Sequence, residues 1–250
     1  MKRKMFNSVG RKIFGFAWPL ICIRFKVVLL KFTRCYTGKR HIERLLEKYV
    51  DYDNGFYVEL GANDGVTQSN TFHFEVKRNW SGILIEPTPN NFLILTQTRG
   101  GKANSFFCKA CVSRDYKEQF VKINYADVMS VAEGLVSDLD GIDEHLASAN
   151  HLFSEGQLPF SFGAEAATLT QLLDAAGSPG VIDFLSLDVE GAELEVLMGV
   201  DFLRYNFKYI LIEARDLDAV SSHLGAHGYR LVETLSVHDY LFEWDGSRGN

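Results

Sequence analysis

Phe56-Tyr57-Val58-Glu59-Leu60-Gly61-Ala62-Asn63-Asp64-Gly65 is the stretch on which the reading of this chain turns. It has the pattern of a short buried strand that breaks into an acidic glycine turn, with a helical pattern starting near Ser69. Gly61 and Gly65 carry no Cβ and reach positive φ, so backbone here approaches a ligand where a side chain would collide. The spacing Gly-x-x-x-Gly is not the dinucleotide fingerprint, and the lysine of a phosphate-binding loop is missing. Glu59 and Asp64 place negative charge at the strand end, which repels a phosphate and suits a ligand bearing ammonium, sulfonium or ribose hydroxyls. An ordinary strand-to-helix connection is the alternative.

One strand-helix unit further on, Gly82-Ile83-Leu84-Ile85-Glu86-Pro87 is an apolar strand ending in a carboxylate. Glu86 stands about where an acid grips ribose hydroxyls in nucleoside-binding α/β folds, although a lone acid at a strand end is equally well explained as solvated. A third strand, Ile182-Asp183-Phe184-Leu185-Ser186-Leu187, also delivers acids and glycine, as Asp188-Val189-Glu190-Gly191. Open parallel sheets bind ligands beyond the carboxyl ends of their strands, so three acidic ends converging there point to S-adenosyl-L-methionine.

VELGANDG at 58–65, QSNT at 68–71, GILIEP at 82–87 and above all FLSLDVEGAELEVL at 184–197 together resemble the FkbM-type S-adenosylmethionine-dependent methyltransferases. The likeness covers roughly residues 56–244, and the order and spacing of the blocks are more specific than any block alone. It implies a class I methyltransferase, Rossmann-like fold: a mostly parallel seven-stranded sheet with an antiparallel C-terminal hairpin and helices on both faces. It also implies O-methylation as the commonest chemistry, often on sugars or other secondary-metabolite hydroxyls. The first fifty or so residues have no counterpart in the family. The candidate cofactor-binding set is Glu59, Gly61, Asn63, Asp64, Gly65, Ser69, Asn70, Glu86, Pro87, Ala110, Cys111 and Asp188.

A chain of 250 residues that is 46% hydrophobic buries one sizeable core. Its net charge of −6 hides a division. Residues 1–48 hold 13 Lys/Arg against 2 Asp/Glu, leaving 13 against 30 for residues 49–250, so the two parts are read as a basic amphipathic leader and a methyltransferase domain. The longest charge-free apolar run of the leader, 13–23, is about half of what a membrane span needs, and no small-x-small cleavage site follows it. Residues 1–34 are read either as a membrane-surface or partner anchor or as a lid packed on the core. Four cysteines suggest a reducing compartment, hence a cytoplasmic protein, peripheral at the inner membrane face if the leader anchors. Cys108-x-x-Cys111 lies in an apolar run and lacks a second Cys/His pair, so it is read as packing, with no metal site.

Apolar runs at 56–60, 82–86, 104–112, 181–187 and 208–213 alternate with helix patterns such as 92–98 and 192–198, and the tail reads as a hairpin of 229–235 and 240–244. Residues 124–167 break the alternation and are read as an insertion covering the cofactor end. Asp138-Leu139-Asp140-Gly141 lacks the remaining ligands of a calcium loop.

Methylation of a hydroxyl needs a positioned base. Asp188 is the first candidate, with Glu190 as its partner, as an acceptor ligand, or as an acid at a helix N-terminus; His238 and Glu213 follow. Asp188 with Glu213 are too few for a magnesium site. The expected partner is a small-molecule or glycan acceptor, with carbohydrate or glycolipid leading over polyketide, peptide or lipid. A non-catalytic methyltransferase-like module is the alternative outside enzymes. Nucleic acid is disfavoured because the excess negative charge of 49–250 repels phosphates.

Overall fold

The computed structural model describes residues 36–246 apart from 102, 127–128, 136 and 138–159. In chain order its first half comprises α1 (Ile42–Leu46), β1 (Phe56–Leu60), α2 (Phe72–Arg78), β2 (Ser81–Ile85), α3 (Pro89–Thr98), β3 (Ser105–Phe107), β4 (Ala110–Cys111), β5 (Phe120–Tyr125) and β6 (Val131–Glu133). There follow β7 (Phe160–Ala167), α4 (Leu169–Ala176), β8 (Val181–Leu187), α5 (Glu193–Met198), β9 (Asn206–Glu213), α6 (Leu217–Gly225), β10 (Tyr229–Thr234) and β11 (Asp239–Trp244).

The main sheet has the order β3-β2-β1-β8-β9-β11-β10. β8 lies at its centre, parallel to β1 and β9; β11 alone runs against the other strands and pairs antiparallel with β9 and β10. This is the expected seven-stranded sheet with its terminal hairpin. Successive side chains of a strand point to opposite faces. Val58, Leu60, Ile83, Leu185 and Ile210 therefore enter one buried cluster, and Tyr57, Leu84, Phe184 and Leu211 enter another. α4, α5 and α6 cover the first face through Leu172, Val196 and Val220, while α1, α2 and α3 cover the second through Leu46, Phe74 and Leu95. A sheet buried on both sides needs strands that are largely apolar, as β1, β2 and β8 are.

Helix ends are set by local chemistry. Thr168 accepts from Gln171 N while the Gln171 side chain returns to Thr168 N, a capping box at the start of α4, and Gly177 in the left-handed region ends it. Pro89 stands in the first turn of α3, where its missing N–H costs nothing.

Two regions depart from the sequence pattern. The run 104–112 is two strands, because the chain leaves the main sheet after Phe107 and Ala110–Cys111 pairs with Ala166 and Ala167 instead. This begins a second sheet of order β4-β7-β5-β6, in which β5 is antiparallel to β6 and β7. The calcium-like 138–141 segment lies outside the described residues. Residues 36–50 are packed onto the domain, with Ile42, Leu46 and Val50 buried beside Trp80 and Phe74. The charge boundary at 48 thus falls inside a packed unit, and the leader 1–34 lies outside the described residues. Among the described residues no helix is long and apolar enough to cross a membrane.

Candidate active site

The turn after β1 is held against the turn after β8. Gly61 has φ +74°, and a Cβ there would stand 1.9 Å from the carbonyl oxygen of Asp188. Glycine is therefore required by backbone crowding as well as by conformation. Between these turns and the carboxyl end of β2 opens a cavity of about 120 Å³ that widens into solvent. Gly61, Asn63, Glu86, Pro87, Ala110, Cys111, Asp188 and Glu190 line it. β5 and β6 close one side through Ile123 and Ala132.

Glu86 is 5% exposed. Its Oε2 accepts from Asn63 N at 2.9 Å and its Oε1 from Thr88 N at 2.8 Å, so the carboxylate is fixed in place with lone pairs to spare. Burial pushes its pKa up, and the Thr88 and Asn63 amides pull against that. Burial also pushes the Cys111 thiol up to about 12, which leaves it a neutral apolar wall.

The acids of the first turn stand elsewhere. Glu59 lies beneath the turn, accepting from Ser69 Oγ, Asn70 N and Thr71 Oγ1 at 3.0, 3.0 and 2.6 Å. Asp64 caps its own loop, accepting from Val66 N, Thr67 N and Thr67 Oγ1. Arg99, 1% exposed, gathers the region: Nε donates to Glu75 at 2.6 Å, Nη1 to the Gly65 carbonyl at 2.8 Å, Nη2 to Tyr57 and Thr71, and Glu59 lies 3.6 Å from Nη1. Burial opposes its charge, but Tyr57, Glu75 and Glu59 outweigh burial and keep the guanidinium ionised. A Cβ on Gly65 (φ +82°) would strike the Arg99 side chain at 2.6 Å.

The end of β8 is different in kind. Enclosure, then the charges of Glu213, Glu190 and Glu193, push the Asp188 pKa well up, with Lys39 opposing. Burial and Glu213 push Glu190 up to about 7, against Arg215 and Lys39. Glu190 sits at φ 55°, a left-handed position that directs its side chain to the cavity, and Glu193 Oε1 braces the turn by accepting from Val189 N and Gly191 N.

Residues 59–231 match the family model described as the methyltransferase FkbM domain. The chain belongs to this family. It is an S-adenosylmethionine-dependent methyltransferase with S-adenosyl-L-methionine as its cofactor. No curated relative matches the sequence. Solved structures similar to this FkbM-family chain include a precorrin-6y C5,15-methyltransferase from Geobacter metallireducens GS-15, at 13% identity over 85% of this chain and 93% of that one, TM-score 0.43. Others are a SAM-dependent methyltransferase from Aquifex aeolicus (11%, 88% and 95%, TM-score 0.39) and a human methyltransferase 10 domain containing protein (10%, 90% and 95%, TM-score 0.42). These scores are low, and the fold rests on the strand order and the family match.

Of the residues singled out in the sequence, Glu59, Asp64, Gly65, Ser69 and Asn70 form the scaffold under the first turn, off the cavity wall. His238 sits in the turn before β11, where its carbonyl accepts from Ala214 N, also off the wall. Sequence reasoning missed Lys39, Thr88 and Asn91, which line the cavity. Proline after Glu86 marks the Thr88–Asn91 start of α3, a usable signal; nothing local marks Lys39.

Proposed function

We propose that this methyltransferase transfers methyl to a hydroxyl of a carbohydrate or glycolipid. The observation that carries the reading is the Asp188–Glu190 pair in the cavity wall, where burial and the charge of Glu213 hold Glu190 near pH 7 against Arg215 and Lys39. A base poised close to neutrality suits an acceptor whose proton must be removed as it reacts, and the two carboxylates titrate as a pair. Glycan hydroxyls are further favoured by polar groups at the wall: Gln68, Thr88, Asn91 and Ser130.

The cavity fits S-adenosylmethionine in donor chemistry. Glu86, fixed and buried, would take the ribose hydroxyls; Ile85, Ala110, Cys111 and Ile123 give an apolar bed for a base; the Gly61 turn leaves room for the methionine end beside Asp188. When bound, the cofactor supplies a methyl carbon whose bond to sulfur breaks as the acceptor oxygen bonds to it, the electron pair staying on sulfur. Asp188, pushed well up, stays protonated, while Glu190, held near 7, is ionised in part at neutral pH and receives the proton of the acceptor hydroxyl. β5 and β6 exclude water from one side. The leader 1–34 is read as a surface anchor holding the enzyme near membrane-assembled glycans, and the chain as acting in the cytoplasm.

The test is a screen of glycan and glycolipid acceptors with methyl-labelled cofactor. Transfer to a hydroxyl is expected, with Glu190→Gln or Asp188→Asn losing about 10²–10⁴ in turnover. Label on nitrogen, or both variants turning over like the parent, contradicts the reading.

A further inference from the structure

The segment preceding the family-matched region completes the cavity. Gly38 forms a parallel bridge to Gln68, and Thr37 Oγ1 donates to the Ser69 carbonyl at 3.0 Å. Glu43 Oε1 accepts from Thr37 N at 2.6 Å and Gly38 N at 2.5 Å. The Tyr36 ring stacks on His73 at 4.6 Å, and both reach Glu47. A Cβ on Gly38 would stand 2.6 Å from Asn70 Oδ1 and Glu43 Oε2, so this backbone lies directly on the β1–α2 loop. The strap is thus stapled at both ends, and the residue it delivers to the cavity wall is Lys39, with Nζ 3.5 Å from Glu213 Oε1.

We propose that Lys39 is a positioning residue for methyl transfer: its ammonium sets how many protons the Asp188–Glu190 pair carries at neutral pH, and so keeps an ionised carboxylate ready for the acceptor hydroxyl. The inference rests on the hydroxyl-acceptor reading above. The charges facing the pair come from three places: Lys39 on the strap, Glu193 beside the pair, and Glu213 and Arg215 at the end of β9; Asp239, opening β11, acts on Lys39 itself. Without the strap, Glu193 and Glu213 would face the pair with Arg215 as the remaining named cation, and the pair would stay protonated. Lys39 itself stays charged, since burial acts against its ammonium while Glu213, Asp188, Asp239 and Glu190 outweigh that. Its side chain is 52% exposed, so its influence is partly screened and its loss should move the pair by about one pH unit, not several.

Carboxyl ¹³C titration of the full-length chain reads this without any acceptor. In Lys39→Met the Glu190 midpoint is expected to rise by about one pH unit, and in Lys39→Arg to stay with the parent. Where Lys39→Met fails to fold, Lys39→Gln, which keeps a polar group at the wall, carries the same expectation. With an acceptor in hand, the acid limb of turnover should move up by the same amount. A folded variant whose midpoint is unchanged, or Lys39→Arg moving like Lys39→Met, overturns the proposal. A shifted midpoint in a chain whose acceptor proves not to be a hydroxyl overturns the reaction assigned above and leaves the charge coupling standing.

Discussion

The ends of β1 and β8 look alike in sequence, each an apolar strand running into acids and glycine, yet they are built to opposite purposes. At β1, Glu59 and Asp64 are saturated by nearby hydroxyls and amides, and buried Arg99 neutralises the region. At β8, burial and the charge of Glu213 act on both Asp188 and Glu190, Glu190 also acts on Asp188, and the affinity of both for protons rises. The first set fastens a loop, and the second lines the cavity with raised affinity for protons. An acid at a strand end becomes one or the other according to the partner that tertiary structure brings to it.

The largest effect expected on this contrast comes from Arg99. Arg99→Met leaves Glu59 and Glu75 buried without their cation, and breaking a buried pair in this way costs about 3–5 kcal/mol. Urea unfolding measures it; a loss under about 1 kcal/mol would mean that the β1 acids are fastened by something else. Gly61→Ala comes next. A non-glycine residue in a left-handed position costs about 1–3 kcal/mol, and here its Cβ must also displace the Asp188 carbonyl 1.9 Å away. Cofactor binding should be lost along with stability, because the two turns share that contact.

Glu190→Gln sharpens the other side of the comparison with a smaller effect. A carboxyl whose pKa is raised by folding favours the folded state below the unfolded value, about 4.5, and that advantage is lost as pH climbs to the folded value of about 7. Glu190→Gln lacks this penalty. Its melting temperature should match the parent's near pH 4 and exceed it at pH 8, by about 2–4 °C for each kcal/mol relieved. Equal melting temperatures at both pH values would deny that Glu190 is perturbed.

Much of the fold was legible because a sheet buried on both faces needs largely apolar runs, and 56–60, 181–187 and 208–213 fall on its strands, with 82–86 running one residue past β2. The run 104–112 misled because apolar continuity cannot show that Ala110 and Cys111 find their partners at Ala166 and Ala167, more than fifty residues away. The alternation Phe160-Ser161-Phe162 was a strand signal hidden among weakly patterned neighbours. Glycine and acid at the right spacing exposed the site's outline, and Glu86, Asp188 and Glu190 do reach the cavity wall. What no local pattern carried was the role of Glu59, fixed by an arginine at the end of α3, or that of Lys39, whose partner Glu213 lies 174 residues further along the chain.

The central claim is that the cavity, not the fastened β1 acids, holds the cofactor, with Glu86 as its anchor. Calorimetric titration of S-adenosylmethionine into the parent chain and a folded Glu86→Ala variant tests it most directly. The account predicts binding by the parent and an affinity weakened by about 1.5–3 kcal/mol in the variant, the worth of a hydrogen bond to a charged group. Equal affinities in the two proteins would contradict it.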